Sequence, residues 1–159
     1  MDLEEHAQLV GRLVGNLQSL EFALRAYLYE KKSPPHAPFA SGQSLHSFNV
    51  GDIVPENAMT DYSTLGKLIE RYNQGVEARF QVDSSIVSVR DALAHGRVSA
   101  LDPAQDLVLL KFEKPSGGLT KVTYAQALTA DWLKSQTTRI FGEIQKICKA
   151  SGSSMSLGS

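Results

Sequence analysis

The feature that most restricts the fold is a long segment near the start of the chain, which contains no proline from Leu3 to about Lys31. Its apolar residues recur at steps of three and four, which places them on one face of an α-helix. This face consists of Val10, Leu13, Leu17, Leu20, Leu24 and Leu28. The spacing therefore predicts a long amphipathic helix that has to bury its apolar face against other elements.

A long connection and a second helix are predicted next. Residues 31–57 are rich in proline, serine and glycine and show no clean period, which is typical of a loop. Residues 60–80 then favour a helix that Gly75 bends or ends. Its candidate caps are Thr60, Asp61 and Ser63, and its apolar face consists of Leu65, Leu68, Ile69 and Tyr72.

A third helix contains the stretch "VRDALAHGR", residues 89–97. We expect this helix to begin at Asp83 or Ser84 and to end at Gly96. Its core side consists of Val82, Ile86, Val89 and Leu93. Arg90 then lies beside the core stripe and His95 lies in the last turn.

The period changes after Gly96 to that of β-strands. The segments "RVSAL", "DLVLLKFEK" and "LTKVTY" are separated by "DPAQ" and "PSGG", both of which favour turns. A final helix is predicted from about Thr129, with Leu133, Ile140, Ile144 and Ile147 on its apolar face. The expected fold is mainly all-α: a four- to five-helix up-down bundle with a short antiparallel hairpin or meander before the last helix. We expect one domain over residues 1–151 and a disordered tail over 152–159.

The charge balance limits the kind of partner. With 16 basic and 17 acidic residues the net charge is −1, so no broad basic face for non-specific nucleic-acid binding is expected. Any polyanion has to be bound locally. The acidic start "MDLEEHAQLV" and the lack of an apolar run of about 18 residues predict a cytoplasmic protein without a membrane partner.

Several familiar kinds of site are not indicated. The four histidines are not paired with other ligands at the short spacings of zinc sites. No glycine-rich loop opens a helix after a strand, and no serine stands in a nucleophile elbow. We therefore expect neither a metal nor a cofactor.

Arg90 and His95 are the strongest candidates for chemistry. In the last turn of a helix, His95 lies near the negative end of the helix dipole, where a cationic side chain is favoured. Histidine is also the side chain best suited to proton transfer near neutral pH. Asp91 lies one turn before His95 on the same face, where we expect it to orient the imidazole.

The stretch "VRDALAHG" resembles the signature of the HEPN superfamily, in which an arginine, a polar residue and a histidine lie in a helix followed by a turn. The earlier segments "LVGNLQSLEFALRAYL" and "STLGKLIERYN" are similar to what precedes that signature, and the hairpin and last helix fit variants of the fold. The resemblance covers most of residues 5–150.

This resemblance implies a metal-independent endoribonuclease that acts on RNA as a homodimer, with two motif helices facing each other across a cleft. It assigns the catalytic positions to Arg90, Asp91 and His95. The polar position is often asparagine or histidine in the family. Aspartate at position 91 departs from this pattern, because it adds a negative charge beside a phosphate site. The family is common in toxin–antitoxin and defence systems, which implies an RNA-cleaving toxin or defence effector held by an antitoxin protein. The alternative is a non-catalytic HEPN-like module that binds RNA or another protein.

Two supporting residues are less specific. Helical geometry places the carboxylate of Glu21 at or near the core face of the first helix, where a buried charge needs a partner. That partner is either Arg90, which Glu21 would position, or Arg25 one turn further on. Arg97 follows the third helix and either contacts phosphate or is simply solvated.

Overall fold

Helices dominate the part of the chain that the computed structural model describes, residues 2–32, 48–100 and 106–152. Four α-helices lie in these residues: α1 (Leu3–Lys32), α2 (Leu65–Asn73), α3 (Ile86–His95) and α4 (Ala130–Ala150). A 3₁₀ turn spans Ala78–Phe80, and the strands are β1 (Arg97–Ser99), β2 (Val108–Phe112) and β3 (Val122–Ala127). The expectation of a mainly helical chain with a short antiparallel meander before the last helix is confirmed. The up-down arrangement stays a prediction.

Some predictions fall on other parts of the chain. Most of the expected loop at 31–57, the "DPAQ" turn and nearly all of the expected tail lie outside the described residues.

Helix α1 agrees closely with its predicted limits. Five of the six residues on the predicted face are buried, namely Leu13, Leu17, Leu20, Leu24 and Leu28, and only Val10 is half-buried. Leu9 and Tyr27 extend the same face. The predicted apolar residues of α2 and α4 are buried as well.

The described residues divide into two compact units. The first lies within Met1–Ser19 and Asp83–Glu143, and the second within Leu20–Val82 and Ile144–Ser159. The prediction of one domain over residues 1–151 stays a prediction.

The first unit holds α3, the sheet and the adjoining parts of α1 and α4. The strands are antiparallel in the order β1-β2-β3. Beyond β2 the hairpin closes at "PSGG", where Gly117 and Gly118 have φ of 61° and 78°, a left-handed pair that glycine adopts without steric cost. Buried apolar residues of this unit come from every element except β1 and β3; among them are Leu13, Ile86, Val89, Leu109, Leu133 and Ile140.

In the second unit, the side chain of Arg25 links α1 to the segment that precedes α2. Its guanidinium donates to the Glu21 carboxylate at 3.0 Å and to the Asp61 carboxylate at 2.8 Å. It also donates to three backbone carbonyls, those of Ala58, Asp61 and Ser63. Only 13% of the Arg25 side chain is exposed, so this arginine satisfies several polar groups that would otherwise be costly to bury.

The predicted caps of α2 were wrong, since Asp61 and Ser63 serve this network instead. Thr64 is the N-cap, and its side chain accepts from the backbone N–H of Lys67. Burial raises the pKa of Asp61, but hydrogen bonds from the Ser63 backbone, Arg25 and Arg71 outweigh it and hold the pKa well below its usual range.

No helix among the described residues is long and apolar enough to cross a membrane.

Replacing Arg25 with leucine should destabilise the protein by about 2–4 kcal/mol, because it leaves carboxylates and carbonyls without their donor. Urea denaturation measures the loss. The control is Arg12→Leu on the exposed side of the same helix, which should change stability by less than about 0.5 kcal/mol. Equal effects of the two substitutions would contradict a structural role for Arg25.

Candidate functional site

The beginning of α3 is fixed by a small cluster that also involves α4. The N-cap of α3 is Ser85, whereas the sequence predicted a start at Asp83 or Ser84. The backbone N–H of Ser85 donates to the Asp83 carboxylate at 2.9 Å. Arg139 of α4 donates to the same carboxylate at 2.7 Å and also to the hydroxyl of Ser85. The Ser85 N–H and the Arg139 guanidinium lower the pKa of Asp83 to about 2. These bonds anchor the first turn of the helix that carries the motif.

The end of α3 is fixed by close packing at Gly96. This glycine has extended backbone angles, φ −78° and ψ 177°, so it is not required by a left-handed conformation. A Cβ at this position would lie 2.7 Å from the Leu109 Cδ1 and 2.9 Å from the Leu110 carbonyl oxygen, and it would overlap the Ala92 carbonyl oxygen. The predicted stop at Gly96 is confirmed, but its reason is the close approach of β2.

The buried side of α3 differs slightly from the prediction. Val82, Ile86 and Val89 are buried as expected, whereas Leu93 is only half-buried and Ala92 is fully buried. The close approach of β2 is shown at Gly96, directly after the helix.

The motif residues lie on the accessible side of α3. About a third of the Arg90 side chain (36%) and of the Asp91 side chain (34%) is exposed, and His95 is exposed. The Arg90 Nη1 donates to the Asp91 Oδ1 at 3.0 Å. The two neighbours therefore form an ion pair at the surface of the helix.

A lysine that the sequence analysis did not select joins this pair. The Nζ of Lys111, on β2, lies 3.7 Å from the Asp91 Oδ2. Lys111 is two residues from buried Leu109, and the alternation of a strand puts both side chains on the face toward α3. The sequence pattern that could have identified Lys111 is a charged residue two positions after an apolar one in the strand segment "DLVLLKFEK".

The Asp91 carboxylate does not bond to the His95 imidazole, which it was expected to orient. The Asp91 carboxylate bonds to Arg90 and Lys111, and within the described part of the chain the His95 side chain makes no hydrogen bond. The imidazole is thus exposed, and no hydrogen bond within the described residues orients it.

Arg97 lies on the other face of the sheet. It pairs with Leu110 across the strands, and its guanidinium lies 5.5 Å from the ring centroid of Phe112. Since Lys111 points toward α3, Arg97 points away from the Arg90–Asp91 pair.

Of the two partners considered for Glu21, the structure pairs it with Arg25, which donates through both Nε and Nη2. Its carboxylate is one-third exposed, at the edge of the apolar face of α1.

Metal ligation finds no support in the described residues, where no group of three histidine, cysteine, aspartate or glutamate residues could hold an ion. The chemistry available at α3 is that of a guanidinium, an ammonium, a carboxylate and an imidazole.

Asp83→Asn should lower the free energy of unfolding by about 0.5–1 kcal/mol near neutral pH, because the carboxylate is half exposed and its ion pair is partly screened. Its pKa falls on folding from 3.8 to about 2, so this stability is present above pH 3.8 and is lost as the pH falls toward 2. The measurement is urea denaturation at about pH 6 and about pH 3. The control is Asp106→Asn at an exposed site. A difference from wild type that does not shrink at the lower pH would contradict this role.

Gly96→Ala should cost about 1–3 kcal/mol, because the added methyl group forces α3 and β2 apart. Gly11→Ala is the matched control, since its Cβ meets nothing within 4 Å and alanine is the better helix former by about 0.5–1 kcal/mol. Thermal unfolding of both variants tests the contrast. A Gly96→Ala protein as stable as wild type would show that the approach of β2 is loose.

Comparisons with protein-family models, with characterised proteins and with solved structures find no match to this chain. The resemblance to the HEPN superfamily therefore depends on the motif of α3 and its setting.

Proposed function

We propose that this protein is a metal-independent endoribonuclease whose site lies at the carboxyl-terminal end of α3. The observation that carries the proposal is that partly exposed Arg90 and Asp91 and exposed His95 lie on one short helix, with Lys111 beside Asp91.

Helix geometry supports a common site for the arginine and the histidine. Side chains five residues apart diverge by about 140° around a helix, so the Cβ atoms of Arg90 and His95 point in different directions. The Asp91 carboxylate lies between them and draws the guanidinium of Arg90 toward its own side of the helix. Asp91 and His95 are four residues apart and share a face. The ion pair therefore brings the guanidinium toward the face that carries the imidazole.

These groups suit cleavage of a phosphodiester next to a 2′-hydroxyl. The imidazole of His95 carries out one of the two proton transfers, either removing the proton of the attacking 2′-hydroxyl or protonating the leaving 5′-oxygen, and water carries out the other. The 2′-oxygen forms a bond to phosphorus as the bond to the 5′-oxygen breaks, which yields a 2′,3′-cyclic phosphate and a 5′-hydroxyl. The Arg90 guanidinium stabilises the additional negative charge on the phosphoryl oxygens. DNA lacks the nucleophile and should not be cleaved.

A homodimer is part of the proposal because the resemblance implies one and α3 has a suitable face. Ser88 and His95 of α3 are exposed. Small polar side chains allow close approach of a second copy, and a two-fold axis there would double each charge of the site. Two copies of Arg90 would then supply the local positive potential that the nearly neutral chain lacks as a whole.

The biological role that we propose is that of an RNA-cleaving toxin or defence effector that works in the cytoplasm, with an antitoxin protein as its partner. This rests on the frequency of such roles among HEPN proteins, which the motif "VRDALAHG" resembles.

A second candidate is a non-catalytic module that binds RNA or another protein. The observation in its favour is that Asp91 neutralises Arg90, while the His95 side chain has no hydrogen-bonding partner in the described part of the chain. A module of this kind needs the charges of α3 but not the proton transfer.

The two candidates differ in what the substitution His95→Ala should do. Wild-type protein incubated with mixed single-stranded RNA in EDTA should cut it and leave 2′,3′-cyclic phosphate ends. His95→Ala should lower the rate at least about 100-fold, the usual contribution of a general acid or base. Because His95 is exposed in the single chain, this variant should keep its helical content, and its oligomeric state is measured beside that of wild type.

Matched controls separate catalysis from charge. Arg90→Ala should also lower the rate of cutting, whereas Arg12→Ala removes the same charge from an exposed site on α1 and should leave the rate unchanged. RNA binding without cutting by wild type would reject the nuclease and favour the module. Cutting that survives in folded His95→Ala protein would reject His95 as the acid or base.

A further inference from the structure

The carboxylate of Asp91 bridges two cations that come from different elements. One oxygen lies 3.0 Å from the Arg90 Nη1 of α3, and the other lies 3.7 Å from the Lys111 Nζ of β2. An RNA phosphodiester likewise carries one negative charge on two free oxygens, and it pairs well with an arginine and a lysine placed side by side. Asp91 thus occupies the position that a phosphodiester would take between these cations.

All three side chains can be reached from solvent. The exposed fractions are 36% for Arg90, 34% for Asp91 and 31% for Lys111. Ion pairs that are exposed to this extent are weak and exchange readily with other charged groups. At 3.7 Å the Lys111 ammonium is too far from the carboxylate for a normal hydrogen bond, so it remains available to a stronger partner.

Lys111 is held in this position by the sheet. It pairs with Tyr124 of β3, and its neighbour Leu109 is buried against the end of α3. The stem of Lys111 therefore leaves the sheet on the side of α3, and its ammonium reaches Asp91. Two cations against one carboxylate leave this cluster with an excess positive charge.

We propose that Lys111 is the second phosphate-binding residue of the α3 site, and that the Asp91 carboxylate occupies the place between Lys111 and Arg90 until the phosphodiester of an RNA strand displaces it. This inference rests on the proposed function, because it specifies how the same site binds its substrate. It also gives Asp91 a role that reduces affinity: an internal anion competes with the RNA for the two cations.

Binding can be measured apart from cleavage with a fluorescein-labelled single-stranded RNA that carries a 2′-O-methyl group on every ribose, since the nucleophile is then blocked. Lys111→Gln should weaken binding about 3- to 10-fold, the effect of losing one partly exposed charge-assisted contact. It should also reduce the slope of log affinity against log salt by about 0.7, the share of one phosphate contact to a single strand. Lys111→Arg should keep most of the affinity.

Lys114→Gln is the matched control, because it removes the same charge from an exposed lysine three residues further along the chain. It should change affinity less than about 2-fold and leave the salt slope unchanged. Asp91→Asn should tighten binding, because the competing negative charge is gone. In the Asp91→Asn background, Lys111→Gln should still weaken binding.

Two results would overturn the inference. One is an equal effect of Lys111→Gln and Lys114→Gln, and the other is weaker binding by Asp91→Asn, which would show that the carboxylate assists binding and does not compete with the RNA. Cutting of unmodified RNA by wild type and its loss in His95→Ala test the nuclease separately. If wild type cuts RNA and the lysine variants bind alike, the inference fails and the proposed function stands. If wild type neither binds nor cuts RNA, both fail.

Discussion

The close contact between the end of α3 and β2 is the constraint on which the candidate site depends. Gly96 leaves no room for a Cβ between the Ala92 carbonyl and the backbone of β2, so the helix and the strand meet at backbone distance. That approach buries Leu109 and brings Lys111, two residues along the same strand, beside Asp91. A looser junction would separate the lysine from the charged pair on α3. The glycine after the motif histidine is thus part of the site through packing, although it offers no side chain of its own.

Much of the fold could be predicted from the sequence, because apolar periodicity depends only on local geometry. The limits of α1, the apolar faces of α2 and α4, and the "PSGG" turn all follow from it. The caps of α2 were missed because Asp61 has a stronger partner in Arg25, which is 36 residues away in sequence. Likewise Ala92 is fully buried where the apolar spacing favoured Leu93, which is only half-buried.

The sequence predicted only those residues of the candidate site that lie on α3. Arg90, Asp91 and His95 were found because they lie within six residues of one another, and their exposure agrees with a site open to solvent. The partner of Asp91 could not be read from that stretch, because Lys111 reaches it through the register of the sheet. The same limit applied to Glu21. Helix geometry allowed either Arg90 or Arg25 as its partner, and the structure shows that Arg25 donates to its carboxylate.

The distribution of ion pairs explains how a chain with a net charge of −1 can still attract an anion at one place. Elsewhere in the described residues the paired arginines meet equal numbers of carboxylates. Arg25 pairs with Glu21 and Asp61, and Arg71 pairs with Asp61 as well. Arg79 pairs with Glu77, and Arg139 pairs with Asp83. At α3, by contrast, two cations share the single carboxylate of Asp91. Neutral pairs attract little at a distance in salt, whereas a local excess acts over about 8–10 Å. Under the proposed function, an anion approaching this unit is drawn to the face that also carries His95.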